Sequence, residues 1–125
     1  MSMTLDVRDD RVVVCLSGFS AVMALARQVS VPLDELRAVS VVPDSSDLDL
    51  GWRVGGTAIP RRLRFGRFRS RRSGRTFAAT YCGEPALVLE TTGGDWDRVA
   101  VMVDDPQGSA DRIRAAAGLG AGPPA

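Results

Sequence analysis

A chain of 125 residues with 45% apolar and 25% charged content is sized and composed for one globular domain with a single core. A net charge of +1 excludes the overall basic excess of a typical nucleic-acid binder. Histidine and lysine are both missing, which removes Ser-His, Cys-His and Ser-Lys nucleophiles, Schiff bases, the Walker A phosphate loop and most zinc sites.

No apolar run approaches the roughly 18 residues of a membrane span. Residues 1–10 are too polar for a signal peptide, so a cytoplasmic protein is expected, with peripheral membrane contact left open. All 16 basic residues are arginine, which reads as a compositional bias and weakens the case that each was selected for bidentate recognition.

In chain order, 4–8 and 11–17 are β-rich runs joined by an Asp9-Asp10 turn, and the valine run 12–14 argues for burial at the centre of the second. Ser17-Gly18 breaks that strand. Phe19, Val22, Met23 and Ala26 then fall on one face at helical spacing, with Ser17 or Ser20 as cap, which predicts a short helix to about Gln28. Extended structure resumes at 29–31, Pro32 opens a turn, and 37–42 alternates as a strand ended by Pro43. Residues 44–60 read as a long loop, first acidic and then glycine-rich, and a loop of that length in a small domain is often functional.

The next stretch, 61–75, is RRLRFGRFRSRRSGR. Arg61, Arg62, Arg64, Arg67, Arg69, Arg71, Arg72 and Arg75 carry +8, while the other 8 arginines and 15 acidic residues sum to −7. Leu63, Phe65 and Phe68 share one side if Gly66 inserts a β-bulge, giving a bent strand with an apolar inside and a guanidinium-covered outside. Strands at 76–82, 86–91 and 98–103 follow, separated by Gly-containing turns, and continue as an antiparallel meander. Asp105 is an N-cap and Pro106 a first helical residue for a helix to about Ala117 that presents Ala110, Ile113 and Ala117 to the core. The domain therefore spans 1–117, and 118–125 read as a disordered tail.

This order, mainly β with about seven or eight strands, one short inserted helix and a C-terminal capping helix, is that of a pleckstrin-homology-like (PH-like) barrel or sandwich. The Val-Pro-Leu turn at 31–33, Gly-Thr-x-x-Pro at 56–60, Gly66 in the basic strand and Asp-Asp-Pro before the helix also resemble the small PH-like proteins of actinobacteria. The resemblance covers about residues 5–117. It implies a non-enzymatic module, often oligomeric and sometimes membrane-linked, and carries over no activity to named residues; no cofactor or metal is expected.

The candidate binding residues are the eight arginines of 61–75 and Trp52. Clustered guanidiniums suit an acidic protein surface or an anionic lipid. The competing expectation is internal pairing with Asp and Glu of neighbouring strands and of the acidic loop. Nucleic acid is disfavoured, because Phe65 and Phe68 face inward and leave no aromatic for base stacking. Trp52 beside the arginines would suit a bilayer interface, although folding back over a barrel end is the favoured expectation.

Asp44, Asp47 and Asp49 lack the spacing of a calcium loop and read as a solvated segment. Asp104 and Asp105 read as caps, not as a catalytic pair. Cys15 and Cys82 read as small buried hydrophobes of a reducing compartment. Self-association through exposed edge strands and a small-ligand barrel with space beside Phe77 and Tyr81 are the alternatives. A carboxylate-only enzyme is the least favoured reading.

Overall fold

A computed structural model describes residues 3–16, 28–45, 48, 50–59, 62–71, 74–92, 96–103 and 105–118. Alternating apolar residues put Val12, Val14 and Leu16 on one face of β2 (Arg11–Leu16), which pairs with β1 (Met3–Val7) and β3 (Gln28–Pro32) in an antiparallel sheet of order β1-β2-β3. The Asp9-Asp10 turn is as expected, with Val7 opposite Val12 and the Arg8 amide donating to the Arg11 carbonyl at 2.8 Å. Gln28 is already extended; the helix expected before it lies outside the described residues. Pro32 leads into a single 3-10 turn at Leu33–Glu35.

The second sheet has six strands: β4 (Leu36–Val42), β5 (Trp52–Ile59), β6 (Leu63–Ser70), β7 (Gly74–Tyr81), β8 (Ala86–Thr91) and β9 (Arg98–Val101), in the order β4-β8-β9-β7-β6-β5. Two expectations are corrected here. The meander does not form, because β9 enters between β7 and β8 and runs parallel to β7. Val99, Ala100 and Val101 are all fully buried, and a strand apolar on both faces is stable in mid-sheet, not at an edge. The loop expected at 44–60 contains β5, a ninth strand whose glycines hid its pattern.

The inner face of this sheet offers Val39, Leu63, Phe65, Phe77, Ala79, Leu87, Leu89, Val99 and Val101 to the three-stranded sheet. The described strands form two open sheets joined through this shared core, with no closed hydrogen-bonded barrel. Phe65 and Phe77 are completely buried at its centre, each contributing about 1.5–3 kcal/mol by transfer from water.

Helix α1 (Pro106–Ala117) closes one end as the sequence predicts. Asp105 Oδ1 accepts from the Gly108 amide at 3.1 Å, Ala110 and Ile113 are fully buried, and Gly118 ends the helix with φ at +74°. Gly118 thus belongs to the helix cap; 119–125 lie outside the described residues. Arg114, only 5% exposed, donates from Nη2 to the Val39 carbonyl at 2.8 Å and from Nη1 to Asp111 at 3.1 Å, tying the helix to edge strand β4.

β4 and β5 occupy opposite edges of the sheet, and Leu48 and Leu50, described residues between them, lie on its outer face. Leu50 anchors the crossing on Phe68 and Ala78, with Leu48 and Ala58 packed beside them. Ser45, fully buried, donates its hydroxyl to the Tyr81 carbonyl at 2.6 Å, and Asp44 accepts from the Gly83 amide at 3.0 Å.

Candidate functional site

The basic strand β6 keeps a continuous register with β7, from Leu63 opposite Tyr81 to Ser70 opposite Gly74. No residue is inserted at Gly66. The register shift lies instead on β5, between Arg53 and Gly55. Strict alternation therefore sends Leu63 and Phe65 into the inner core but Phe68 to the outer face, against Leu50 and Ala78. The expected single apolar side with a guanidinium-covered back is replaced by arginines on both faces.

Arg64 shares the outer face with Phe68 and donates to the carbonyls of Leu48 (3.0 Å) and Ser45, holding the crossing segment in place. Arg62 is exposed before the strand, and its carbonyl accepts from the Cys82 amide at 2.8 Å. Arg61 and Arg72 lie outside the described residues. Arg71 is exposed beyond β6, in a polar cleft of about 390 Å³ that also contains Arg37, Glu90, Asp97 and Arg98.

Arg67 and Arg69 point the other way, to the inner side beyond the end of the core. Together with Arg75 they line a cleft of about 510 Å³, completed by Gln28, Val29, Val54, Phe68 and Trp96. This cleft lies where β3 and β5, edge strands of the two sheets, both contribute side chains without pairing to each other. It is the seam at which the two sheets fail to close.

The Arg67 guanidinium sits 5.9 Å from the centre of the Trp96 ring, and Trp96 meets Phe77 edge-on at 5.5 Å. The ring thus joins the buried core to the cleft wall. Arg75 is fixed by Asp97, whose Oδ2 lies 3.5 Å from its Nε and accepts the Arg75 amide at 2.8 Å. Asp97 pairs with Arg75, and the other ion pairs among the described residues lie outside 61–75. Among the described arginines of 61–75, Arg75 is thus ion-paired and Arg64 is held by backbone carbonyls.

Trp52 is 57% exposed, opposite Arg69 in the β5–β6 register, so it does not fold back over a barrel end. Val54, 63% exposed, projects beside it at the register shift, and Ile59, 41% exposed, lies further along the same strand. Among the described residues, the exposed large hydrophobics are these three, all on β5.

Trp96, Val54 and Gln28 were not expected at the site. Trp96 reaches the arginines only because β9 runs parallel to β7, with Arg98 opposite Thr76, and no local signal specifies that pairing. Cys15 and Cys82 are free thiols, half-buried and not in the core. The rings proposed to flank an internal cavity are themselves occupied: Tyr81 packs on Phe65 at 5.4 Å, and Phe77 on Trp96. No helix among the described residues is long and apolar enough to cross a membrane. Comparison with known proteins finds no match to this chain among family models, curated proteins or solved structures.

Proposed function

We propose that this protein is a non-enzymatic PH-like interaction module that binds an anionic partner in the seam between its two sheets. The carrying observation is the cleft lining: the guanidiniums of Arg67 and Arg69 stand beside the Asp97-paired Arg75, with no carboxylate side chain among the described lining residues. Charge-assisted hydrogen bonds to several guanidiniums in a concave site are stronger than those on a flat surface, where water screens them. Val29, Val54 and Trp96 add apolar wall, so the ligand carries apolar groups beside its negative charge. The PH-like reading rests on the mainly β content, the C-terminal capping helix and the sequence resemblance. The two free thiols fit a cytoplasmic setting.

Binding of a fluorescent polyglutamate probe across a salt series tests this reading. Affinity should fall steeply as ionic strength rises and drop at least tenfold in an Arg67→Ala, Arg69→Ala double variant, whereas Arg37→Ala should leave it within twofold. Equal binding by the wild type and the double variant would refute the assignment of this cleft.

A further inference from the structure

We propose that the partner is an extended acidic segment of another protein, which adds as a further strand to the free edge of β5. The inference rests on the anion-binding reading above and assigns that anion a class and a geometry.

β5 is the terminal strand of the six-stranded sheet, eight residues long, and among the described residues no strand pairs with its outer side. An unpaired edge presents backbone donors and acceptors at alternate residues, a template for an incoming strand. Natural edges are usually blunted by charge, proline or covering loops. β5 carries a register shift at Val54 and one charge, Arg53, yet exposes Trp52, Val54 and Ile59.

Charge selects the incoming chain. β5, β6 and β7 contain Arg53, Arg64, Arg67, Arg69 and Arg75 and no Asp or Glu. A strand added beside β5 would place its side chains next to Arg53 on one face. On the other face they would lie next to Trp52 and Val54, with the β6 arginines about 10 Å away, two strand spacings. Glutamate and arginine side chains together span that gap. Acidic residues alternating with apolar ones meet both requirements.

The same geometry disfavours other occupants. A second copy would join two edges that carry only positive charge, with no acid on these strands to offset Arg53, Arg67 and Arg69. Sinking Trp52 and Val54 into a bilayer would carry the unpaired β5 backbone toward hydrocarbon, where each unsatisfied group costs several kcal/mol. An incoming strand satisfies those groups.

The test uses the full chain and an eight-residue capped peptide alternating glutamate with valine or threonine, labelled for fluorescence anisotropy. Two further peptides carry N-methyl groups on the odd or the even amides, leaving charge and side chains intact. Strand addition predicts a period-two result: one methylated set binds at least tenfold more weakly than the parent, and the other within about twofold.

Three equal affinities would overturn strand addition while leaving the anion site standing. No binding of the parent peptide, with polyglutamate still bound through Arg67 and Arg69, would also overturn it alone. Loss of both would overturn the anion reading as well. Two other results would give the edge to another occupant and likewise overturn the proposal. One is a dimer in sedimentation that dissociates on Trp52→Glu; the other is binding to phosphatidylglycerol vesicles with a blue-shifted Trp52 emission.

Discussion

Replacing Gly66 by alanine should weaken the protein far more than the same change at Gly55, although the two residues lie on adjacent paired strands. Gly66 has φ at +129°, a conformation that L side chains rarely adopt. A Cβ there would stand 2.3 Å from the Gly55 carbonyl oxygen and 2.7 Å from the Gly56 Cα, both backbone atoms of β5. Restoring a 3.4 Å contact requires β5 and β6 to separate by about 1.1 Å, since 3.4 − 2.3 = 1.1.

The backbone conformation costs about 1–3 kcal/mol, and lengthening one strand-pair hydrogen bond adds about 1 kcal/mol. The expected loss is therefore about 2–4 kcal/mol. At Gly55 a Cβ meets nothing within 4 Å, and its φ is not positive. Gly55→Ala should stay within about 0.5 kcal/mol of the parent, or gain slightly by restricting the unfolded chain. Urea unfolding followed by tryptophan fluorescence measures both. Equal stabilities for the two variants would refute the close crossing of β5 and β6 described here. Because that crossing also seats Val54 and Arg67, Gly66→Ala should weaken polyglutamate binding in whatever fraction stays folded.

Asp105→Ala should cost roughly 1 kcal/mol by removing the acceptor of the Gly108 amide, read from chemical unfolding. Arg114→Ala should cost about 2–3 kcal/mol, because a charged hydrogen bond to the Val39 carbonyl is lost in a buried setting. Hydrogen exchange at the contacts between α1 and β4 should show the loosening locally. The Arg11 side-chain hydrogen bond holds the Asp10 carboxyl below its ordinary range. A depressed folded value means the contribution to stability is present above about pH 3.9 and is lost as the pH falls through the lower folded value. A carbon-detected NMR titration should place Asp10 below an ordinary aspartate, and Arg11→Ala should raise it.

The elements written in short-range pattern were legible. The Asp9-Asp10 hairpin, the valine-rich β2, the alternation of β7 and the Asp105-Pro106 helix start each depend on residues within a few positions of one another. β5 was not, because WRVGGTAI places two glycines where a strand would show its alternation. Gly66 suggests an inserted residue that would turn Phe68 inward, whereas the unbroken register puts Phe68 on the outer face. The chain instead uses that glycine to bring two backbones close while β6 keeps its register with β7. The arginine run marks β6 as the most basic strand but does not say which of its members share a face.

The sequence by itself determined a mainly β domain with a capped C-terminal helix, and a cluster of positive charge beside a tryptophan-containing segment. Those properties follow from local propensity, periodicity and composition, which every short window carries within it. Only the tertiary structure decided that β9 enters between β7 and β8, that Arg64 holds the crossing segment while Arg67 and Arg69 line a cleft, and that Trp96 stands beside them. These depend on which distant strands pair and on which side the chain crosses the sheet. Such choices are settled by burying Val99, Ala100 and Val101 on both faces, a requirement of the whole core and not of any one segment.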